Sequence, residues 1–386
     1  MKLLDPSLRS DAVLEFESAL RQRIVGQNES VAHLTDAFQN FTSGLTSPRR
    51  PIKNLLFLGP TGVGKTAAVE ATADVIFSDP GAFVKINCAE FQHSHEIAKI
   101  IGSPPGYLGH RETHPRLSQH AINQWHTEKI KLSIVLFDEI EKAHEALWQL
   151  LLGILDKAEL TLGDNTTVNF SRSIVVMTSN IGVSQMHDLL SGGMGFRAVS
   201  NETDTGLDKK IDSTAREAAR KRFSPEFMNR LDSVVVFHNL RDEEMAQILD
   251  IELDQVRKRL ALVYPFVLRV SDSMKRFLLK DGTSFKYGAR HLKRSIEKTI
   301  VSPISNLVST KQISQGDIIL VDTDDDKVVF VKEAFGPFTV PDLQTQVSAA
   351  PLLEPTLSVP IPEAGQAAAA NPPQGKAEWW FGTRTR

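Results

Sequence analysis

The strongest constraint on the fold is a set of four short apolar segments that alternate with longer helical stretches. They read NLLFLG at 54–59, AFVKINC at 82–88, LSIVLFDE at 132–139 and SIVVMTSN at 173–180. Each is rich in β-branched or aromatic residues and has the length of a single strand. Buried strands that alternate with helices are typical of a parallel sheet covered by helices on both faces. We therefore predict an α/β fold.

The pattern changes from residue 240 onward. We predict an amphipathic helix near 241–262, a short strand near 266–270, further helices to about 309, and two strands in DIILVD and KVVFVK. The sequence thus divides into a large subdomain, 1–239, and a small α+β lid subdomain, 240–333. Eight of the 19 prolines fall between 337 and 373, so we expect the Pro/Ala-rich tail, 334–386, to be disordered. The pattern assigns no role to its end, Trp379-Trp380.

Composition excludes several classes of protein. With a net charge of −3, the chain lacks the excess of basic residues that a nucleic-acid-binding face needs. The single cysteine, Cys88, cannot form an internal disulfide and is expected to be a buried thiol in a reducing compartment. The start of the chain lacks the apolar core of a signal peptide, and no segment has the length of a membrane span. We therefore expect a cytoplasmic protein.

The first apolar segment runs into GPTGVGKT, which matches the pattern G-x-x-x-x-G-K-[ST] between a strand and a helix. Its glycines let backbone N–H groups curl around phosphates, and the helix N-terminus adds its dipole. Lys65 would contact the β- and γ-phosphates, and the Thr66 hydroxyl would hold Mg²⁺. The predicted phosphate-binding residues are Gly59, Pro60, Thr61, Gly62, Val63, Gly64, Lys65 and Thr66.

Polar side chains also end the third and fourth apolar segments. Asp138 and Glu139 follow one buried strand and Asn180 follows the other. Parallel sheets bind ligands at the carboxyl ends of their strands. Asp138 suits a Mg²⁺ partner, Glu139 a base that polarises the attacking water, and Asn180 an amide that orients this water. Since the chain has no Asn-Lys-x-Asp motif for guanine, we predict ATP and Mg²⁺ as ligands.

These motifs make residues from about 10 to 333 resemble an AAA+ ATPase module of the Clp/heat-shock class, particularly the second ATPase module of ClpB and ClpC. GPTGVGKT and VLFDEIEKAH resemble its Walker A and B motifs, and MTSN resembles sensor 1. IVGQ at 24–27 resembles the box beside the adenine, which implies that Ile24 and Val25 contact the base. SPEFMNRLD implies that Arg230 is the arginine finger. YGARHLKRSIEK implies that Arg290 is the sensor 2 contact to the γ-phosphate.

The resemblance also implies a homo-hexameric ring in which Arg230 contacts the ATP bound by the neighbouring subunit. It implies that Tyr107 and Leu108, in the segment GSPPGYLGHRE, line the pore and grip unfolded polypeptide. The chain shows no counterpart to the first ATPase module, so we expect a single-ring machine or a piece of one. A tyrosine packed under a surface loop is the alternative for Tyr107.

The implied function is ATP-driven unfolding or remodelling of polypeptides threaded through the pore. An ATP-dependent switch that recruits partners is an alternative, as is a regulatory ATPase that feeds a ClpP-type peptidase. Met194-Gly195-Phe196 lies in a long connection, 181–206, and resembles the tripeptide by which ClpC- and ClpX-type unfoldases dock on ClpP. Packing of Met194 and Phe196 on the subunit's own surface is the alternative for this segment.

Overall fold

The structure is a computed structural model that describes residues 5, 8–103, 115–183, 185–186, 204–282, 288–324 and 327–333. Three predictions fall outside these residues: the substrate contacts at Tyr107 and Leu108, the docking tripeptide Met194-Gly195-Phe196, and the disordered tail 334–386. Within the described ranges, no helix is long and apolar enough to cross a membrane.

The larger part of the chain is a five-stranded parallel sheet with helices on both faces. The strands of this sheet are β1 (Lys53–Leu58), β2 (Val84–Asn87), β3 (Ser133–Asp138), β6 (Ser173–Ser179) and β7 (Ser233–Val236). They lie in the order β2-β3-β6-β1-β7. A short hairpin, β4 (Glu159–Thr161) and β5 (Thr167–Asn169), lies outside it. The helices of this part are α1 (Asp11–Arg23), α2 (Asn28–Ser43), α3 (Lys65–Phe77), α4 (Ala98–Ile101), α5 (Gln119–Asn123), α6 (Glu145–Lys157), α7 (Asp204–Arg222) and α8 (Pro225–Met228).

The sheet is buried on both sides because alternate side chains of each strand enter separate cores. Leu56 and Leu58 of β1 enter the core that α6 and α7 cover. Leu55 and Phe57 enter the opposite core, under α1, α2 and α3. Burial of such a side chain contributes about 1.5–3 kcal/mol, so the strands need their apolar residues on both faces. This explains the near-continuous apolar segments that predicted the sheet.

Residues after 240 build a smaller layer with its own core. It holds α9 (Asp242–Val263), β8 (Val267–Val270), α10 (Asp272–Gly282), α11 (Ala289–Ile296), a π-helical turn (Glu297–Val301), α12 (Ser302–Ser309), β9 (Ile318–Asp324) and β10 (Lys327–Glu333). The strands form a mixed sheet in the order β10-β9-β8. In α9 the buried residues recur every three or four positions, which gives one apolar face toward this core.

The predicted fold class, a parallel sheet between helices followed by a small α+β part, is confirmed. Sequence reasoning located four of the five strands of the large sheet and missed β7. Its residues Ser233–Val236 are only four long, and they pair in parallel with Leu55–Leu58 at the edge of the sheet. The apolar run VVVF at 234–237 was a usable signal for this strand, since β2 is equally short and was predicted. The predicted boundary between 239 and 240 falls in the segment that joins β7 to α9.

Candidate functional site

The loop between β1 and α3 is the centre of the candidate site. β1 ends at Leu58 and α3 begins at Lys65, so the intervening residues run directly from a buried strand into a helix N-terminus. Gly59 has a φ of +145°, and a Cβ added there would lie 2.5 Å from the carbonyl oxygen of Phe237. Only glycine allows this approach. The loop is therefore packed against the chain that leads from β7 toward the lid.

Lys65 is almost completely buried, with 8% of its surface exposed. Its Nζ donates hydrogen bonds to the carbonyl oxygens of Gly59 at 2.6 Å and Pro60 at 2.7 Å, and to Asn180 Oδ1 at 2.9 Å. Burial lowers the pKa of Lys65 to about 8, although the carboxylates of Glu141, Asp138 and Glu139 oppose this shift. The first residue of α3 therefore carries a buried ammonium group.

Asp138 ends β3, next to Asn87 of β2. Its Oδ2 lies 2.8 Å from Lys85 Nζ, and its Oδ1 accepts a hydrogen bond from Thr178 Oγ1 at 2.5 Å. Burial alone would raise the pKa of Asp138, but the hydrogen bonds from Lys85 and Thr178 hold it below its usual value. Asp138 is therefore an oriented carboxylate that carries its charge at neutral pH.

Glu139 follows in a left-handed conformation, with φ 59° and ψ 47°. Its backbone N–H donates to Thr178 Oγ1 at 3.0 Å, which ties it to β6. Its carboxylate oxygen Oε2 lies 2.6 Å from Lys142 Nζ. The hydrogen bond to Glu139 raises the pKa of Lys142, so Lys142 keeps its positive charge beside this carboxylate. Left-handed backbone at a non-glycine residue is uncommon and concentrates at functional sites.

These side chains open into a cavity of about 1500 Å³ between the large part and the lid. Thr61 to Thr66 line it, as do Asp138, Glu139 and Asn180. The lid contributes Arg290, in the first turn of α11, together with residues of α9. Ile24 and Val25 line the same cavity, which also includes Leu240, Ile248 and Ile251. The lining thus combines polar groups of the loop and of the strand ends with apolar side chains.

Three predicted site residues do not line this cavity. Gly59 and Pro60 face Lys65 through their carbonyl oxygens and are not among the lining residues. Arg230 follows α8, whose first turn is capped by the hydroxyl of Ser224. Its guanidinium lies 3.2 Å from Glu226 and 3.7 Å from Asp156. The chain therefore brings Lys65, Asp138, Glu139, Asn180 and Arg290 together, and it leaves Arg230 outside.

Sequence reasoning missed four polar residues of this site. Lys85, Thr178 and Lys142 contact the two acids, and Gln27 hydrogen-bonds the loop at Val63. Lys142 stands three residues after Glu139, so its spacing was a usable signal. Lys85 and Thr178 lie on neighbouring strands, and no local pattern predicts that contact. Gln27 was noticed only as part of IVGQ.

Comparison with known proteins agrees with this arrangement. The profile of the AAA domain (Cdc48 subfamily) matches residues 50–234, and that of the C-terminal, D2-small domain of ClpB protein matches residues 240–321. Chaperone protein ClpB 1 of Parasynechococcus marenigrum (strain WH8102) is 36% identical over 318 residues, which are 82% of this chain and 35% of that protein. The ATP-dependent Clp protease ATP-binding subunit ClpC of Staphylococcus aureus (strain USA300) is 35% identical over 318 residues, 82% of this chain and 37% of that protein. The chain thus spans about a third of the length of these relatives.

A solved structure also resembles this fold. It is a closed-state electron cryomicroscopy reconstruction of Hsp104 with ATPγS and FITC casein, with a TM-score of 0.67 and 27% sequence identity. The match covers 84% of this chain and 52% of that one.

Fold and site together define a P-loop nucleotide-binding module that is closed by a C-terminal lid. With two matching profiles that follow each other along the chain, the protein belongs to the AAA+ ATPases of the Clp/heat-shock class, and it resembles the second ATPase module of ClpB and ClpC. The predicted family is confirmed.

Proposed function

We propose that this chain hydrolyses ATP with Mg²⁺ and uses the energy to unfold or remodel polypeptides. The observation that carries the proposal is the convergence of a buried lysine, two strand-end acids, an amide and a lid arginine on one cavity. Phosphoryl transfer requires little covalent chemistry from a protein, and it depends on positioning and on positive charge around the phosphates. Lys65 and Arg290 supply such charge from the two parts of the chain.

Nucleotide binding is assigned to the loop and to apolar side chains that line the cavity. Backbone N–H groups of residues 61–66 would surround the phosphates, with Lys65 at the β- and γ-positions. Ile24 and Val25 would contact the adenine. The hydroxyl of Thr66 and the carboxylate of Asp138 are hard oxygen donors of the kind that Mg²⁺ prefers. Since no group of three or more His, Cys, Asp or Glu side chains in the described ranges could hold a metal, nucleotide and water would complete the coordination.

Hydrolysis is assigned to three residues. Glu139 would accept the proton of the attacking water, for which its carboxylate must turn from Lys142 toward the γ-phosphate. Asn180 would orient this water. Arg290 would stabilise the charge on the transferred group, and a bound Mg²⁺ ion would add to that stabilisation. These assignments require the lid to remain close to the loop during turnover.

The remaining roles concern assembly and partners. Arg230 would complete the site of a neighbouring subunit, which implies a ring, and a homo-hexamer is proposed. Tyr107 and Leu108 would grip unfolded polypeptide in the pore of that ring, since a flat amphipathic ring suits sequence-independent contact. Met194-Gly195-Phe196 would dock a ClpP-type peptidase. A cytoplasmic location is part of the same proposal.

The proposal is tested by ATP turnover together with unfolding of a fluorescent reporter protein that carries an unstructured tail. The wild type should hydrolyse ATP and reduce the reporter's fluorescence only when ATP is present. Glu139→Gln should bind ATP and lose about 10²-fold or more of its turnover, because the acceptor for the proton is gone while the shape survives. Tyr107→Ala should hydrolyse ATP without unfolding the reporter.

Two results would contradict the proposal. Undiminished turnover in Glu139→Gln would remove the assigned base. Hydrolysis by the wild type without any unfolding, with or without a ClpP-type peptidase, would favour the switch that recruits partners.

A further inference from the structure

The side chain of Gln27 is buried in a place that connects two functional segments. Gln27 immediately precedes α2, and only 4% of its surface is exposed. Its Nε2 donates to the carbonyl oxygen of Val63 at 3.2 Å and to that of His238 at 3.0 Å. Its Oε1 accepts a hydrogen bond from the backbone N–H of His238 at 3.3 Å. Both polar atoms of this amide therefore form hydrogen bonds with backbone groups.

The two partners of Gln27 belong to segments with different tasks. Val63 lies in the phosphate-binding loop, between Gly62 and Gly64. His238 lies between β7 and α9, where the chain passes from the large sheet to the lid. This amide is thus a direct link between the loop that would meet the phosphates and the segment about which the lid would move.

The connecting segment is held on its other side by charged groups. The His238 ring lies 3.3 Å from Asp212 and 3.8 Å from Asp208, both on α7. Glu29 of α2 accepts from the N–H of Val236 at 3.4 Å and pairs with Arg216 of α7 at 2.8 Å. The backbone around His238 therefore contacts α2 and α7, and Gln27 is the side chain that joins it to Val63.

A primary amide is required here by its geometry. It offers two N–H donors and an acceptor on one planar group, which matches two carbonyl oxygens and one N–H. A carboxylate would face both carbonyls without a donor, and an aliphatic chain would leave three buried backbone groups unpaired. Both polar atoms of Gln27 thus already bond to backbone, although the residue borders the cavity.

We propose that Gln27 is a positioning residue that couples the state of the phosphate-binding loop to the placement of the lid. This inference rests on the proposed ATPase function. Phosphates bound at residues 62–65 would shift the Val63 carbonyl, and Gln27 would transmit that shift to the His238 backbone. Gln27 acts on turnover through this link and without contact to the reacting atoms.

The test compares Gln27→Leu and Gln27→Glu with a matched loss of one buried hydrogen bond, Thr72→Val. Thr72 is 1% exposed and its hydroxyl donates to the Ala68 carbonyl at 2.7 Å within α3. Spin labels on Leu45→Cys and Leu262→Cys report the distance between the large part and the lid, because these side chains are 92% and 86% exposed. Cys88 is buried and does not compete for the label. The labelled protein is mixed with an excess of unlabelled protein, so that the measured distance is the one between two labels on the same chain.

The wild type and Thr72→Val should show a change of label distance when a slowly hydrolysed ATP analogue is added. In Gln27→Leu we expect that change to fall by at least about half and kcat to fall about tenfold, with the analogue's Kd within about threefold of the wild type. At pH 8, Gln27→Glu should show a similarly reduced change of label distance and a similarly reduced kcat. Its deficit relative to the wild type should shrink toward pH 6, because a protonated carboxyl again donates to a carbonyl.

The possible failures are distinguishable. If the wild type does not bind the analogue, the proposed function is wrong. If the wild type binds it and the label distance is unchanged, or changes equally in both Gln27 variants, the coupling role is overturned while the nucleotide site stands. If Gln27→Leu does not fold, Gln27→Glu decides the question by its pH dependence.

Discussion

The backbone N–H of Ala289, the first residue of α11, donates a hydrogen bond to the carbonyl oxygen of Gly62 at 3.0 Å. The lid helix that carries Arg290 therefore starts directly on the loop between β1 and α3. Gly288 precedes it with a φ of 52°, and a Cβ added there would lie 2.7 Å from the same Gly62 oxygen. This contact leaves no space for a side chain between the lid and the loop.

We predict that Gly288→Ala separates α11 from the loop and moves Arg290 away from the phosphates. Turnover should fall about tenfold or more, because positive charge must lie close to the transferred group to act on it. Gly316→Ala is the matched control. Gly316 also has a positive φ, of 85°, but nothing lies within 4 Å of its added Cβ. Gly316→Ala therefore introduces backbone strain without a steric clash. Steady-state ATPase assays on both variants provide the measurement, and equal turnover in the two would show that the clash has no consequence.

Nucleotide affinity should depend on the protonation of Lys65. Burial lowers its pKa to about 8, and a bound phosphate favours the charged form. Between pH 7.5 and pH 9 the Kd of a fluorescent ATP analogue should therefore rise about fivefold to tenfold. Lys65→Arg, which stays charged, should bind with an altered affinity but a flat profile. If the Kd of the wild type were equally independent of pH, the proposed role of this lysine would be refuted.

The same group affects stability in the opposite direction. Since its pKa in the folded chain lies below the ordinary value of 10.5, the unfolded chain binds more protons between about pH 8 and pH 10.5. The contribution of Lys65 to the free energy of unfolding should therefore increase as pH rises through this interval, and Lys65→Met should remove that increase.

Arg230 is predicted to act on a neighbouring subunit. Its Nε is buried without a hydrogen-bond partner among the described residues, and its guanidinium faces Glu226 and Asp156 outside the cavity of its own chain. Arg230→Ala should bind ATP within about threefold of the wild type and lose about 10²-fold or more of kcat. Arg50→Ala, which removes a surface arginine 3.5 Å from Asp232, should leave kcat unchanged.

Mixing decides whether Arg230 acts in trans. In an equal mixture of Arg230→Ala and Lys65→Ala, about a quarter of the sites would combine an intact lysine with a neighbour's intact arginine. Activity should therefore reappear in the mixture although each variant alone is inactive. A mixture as inactive as its components would show that no arginine is shared between subunits.

His238 should stabilise the fold in a pH-dependent manner. The Asp212 carboxylate, 3.3 Å from the ring, raises the pKa of His238 against the effect of burial, and the charges of Asp208 and Glu29 add to the rise. A raised pKa gives stabilisation that is complete below about pH 6.5 and is lost as pH rises through the folded-state value. Urea unfolding should show His238→Gln less stable than the wild type at pH 6, with a smaller difference at pH 8.5. His120→Gln, on the exposed side of α5, should show no such dependence.

Local patterns were sufficient to predict four of the five strands of the large sheet and the small α+β part that follows it. The segments that became β1, β2, β3 and β6 are apolar because both faces of each strand are buried, and this property is visible in a short window. Asp138 ends β3, Asn180 follows β6, and Lys65 and Thr66 begin the helix that comes after β1. Strand ends that share an edge of a parallel sheet must lie close together, so their meeting could be predicted without coordinates.

Contacts between distant segments were decided only by the tertiary structure. Lys85 reaches Asp138 because β2 pairs with β3, and Gln27 reaches His238 across 211 positions of sequence. Arg230 and Arg290 are both arginines near helices in the sequence, yet one lies outside the cavity and the other lines it. The difference arises from how the lid packs on the loop through Gly288 and Ala289. Strand order and subdomain packing result from the summed burial of many side chains, so no single stretch of sequence carries that information.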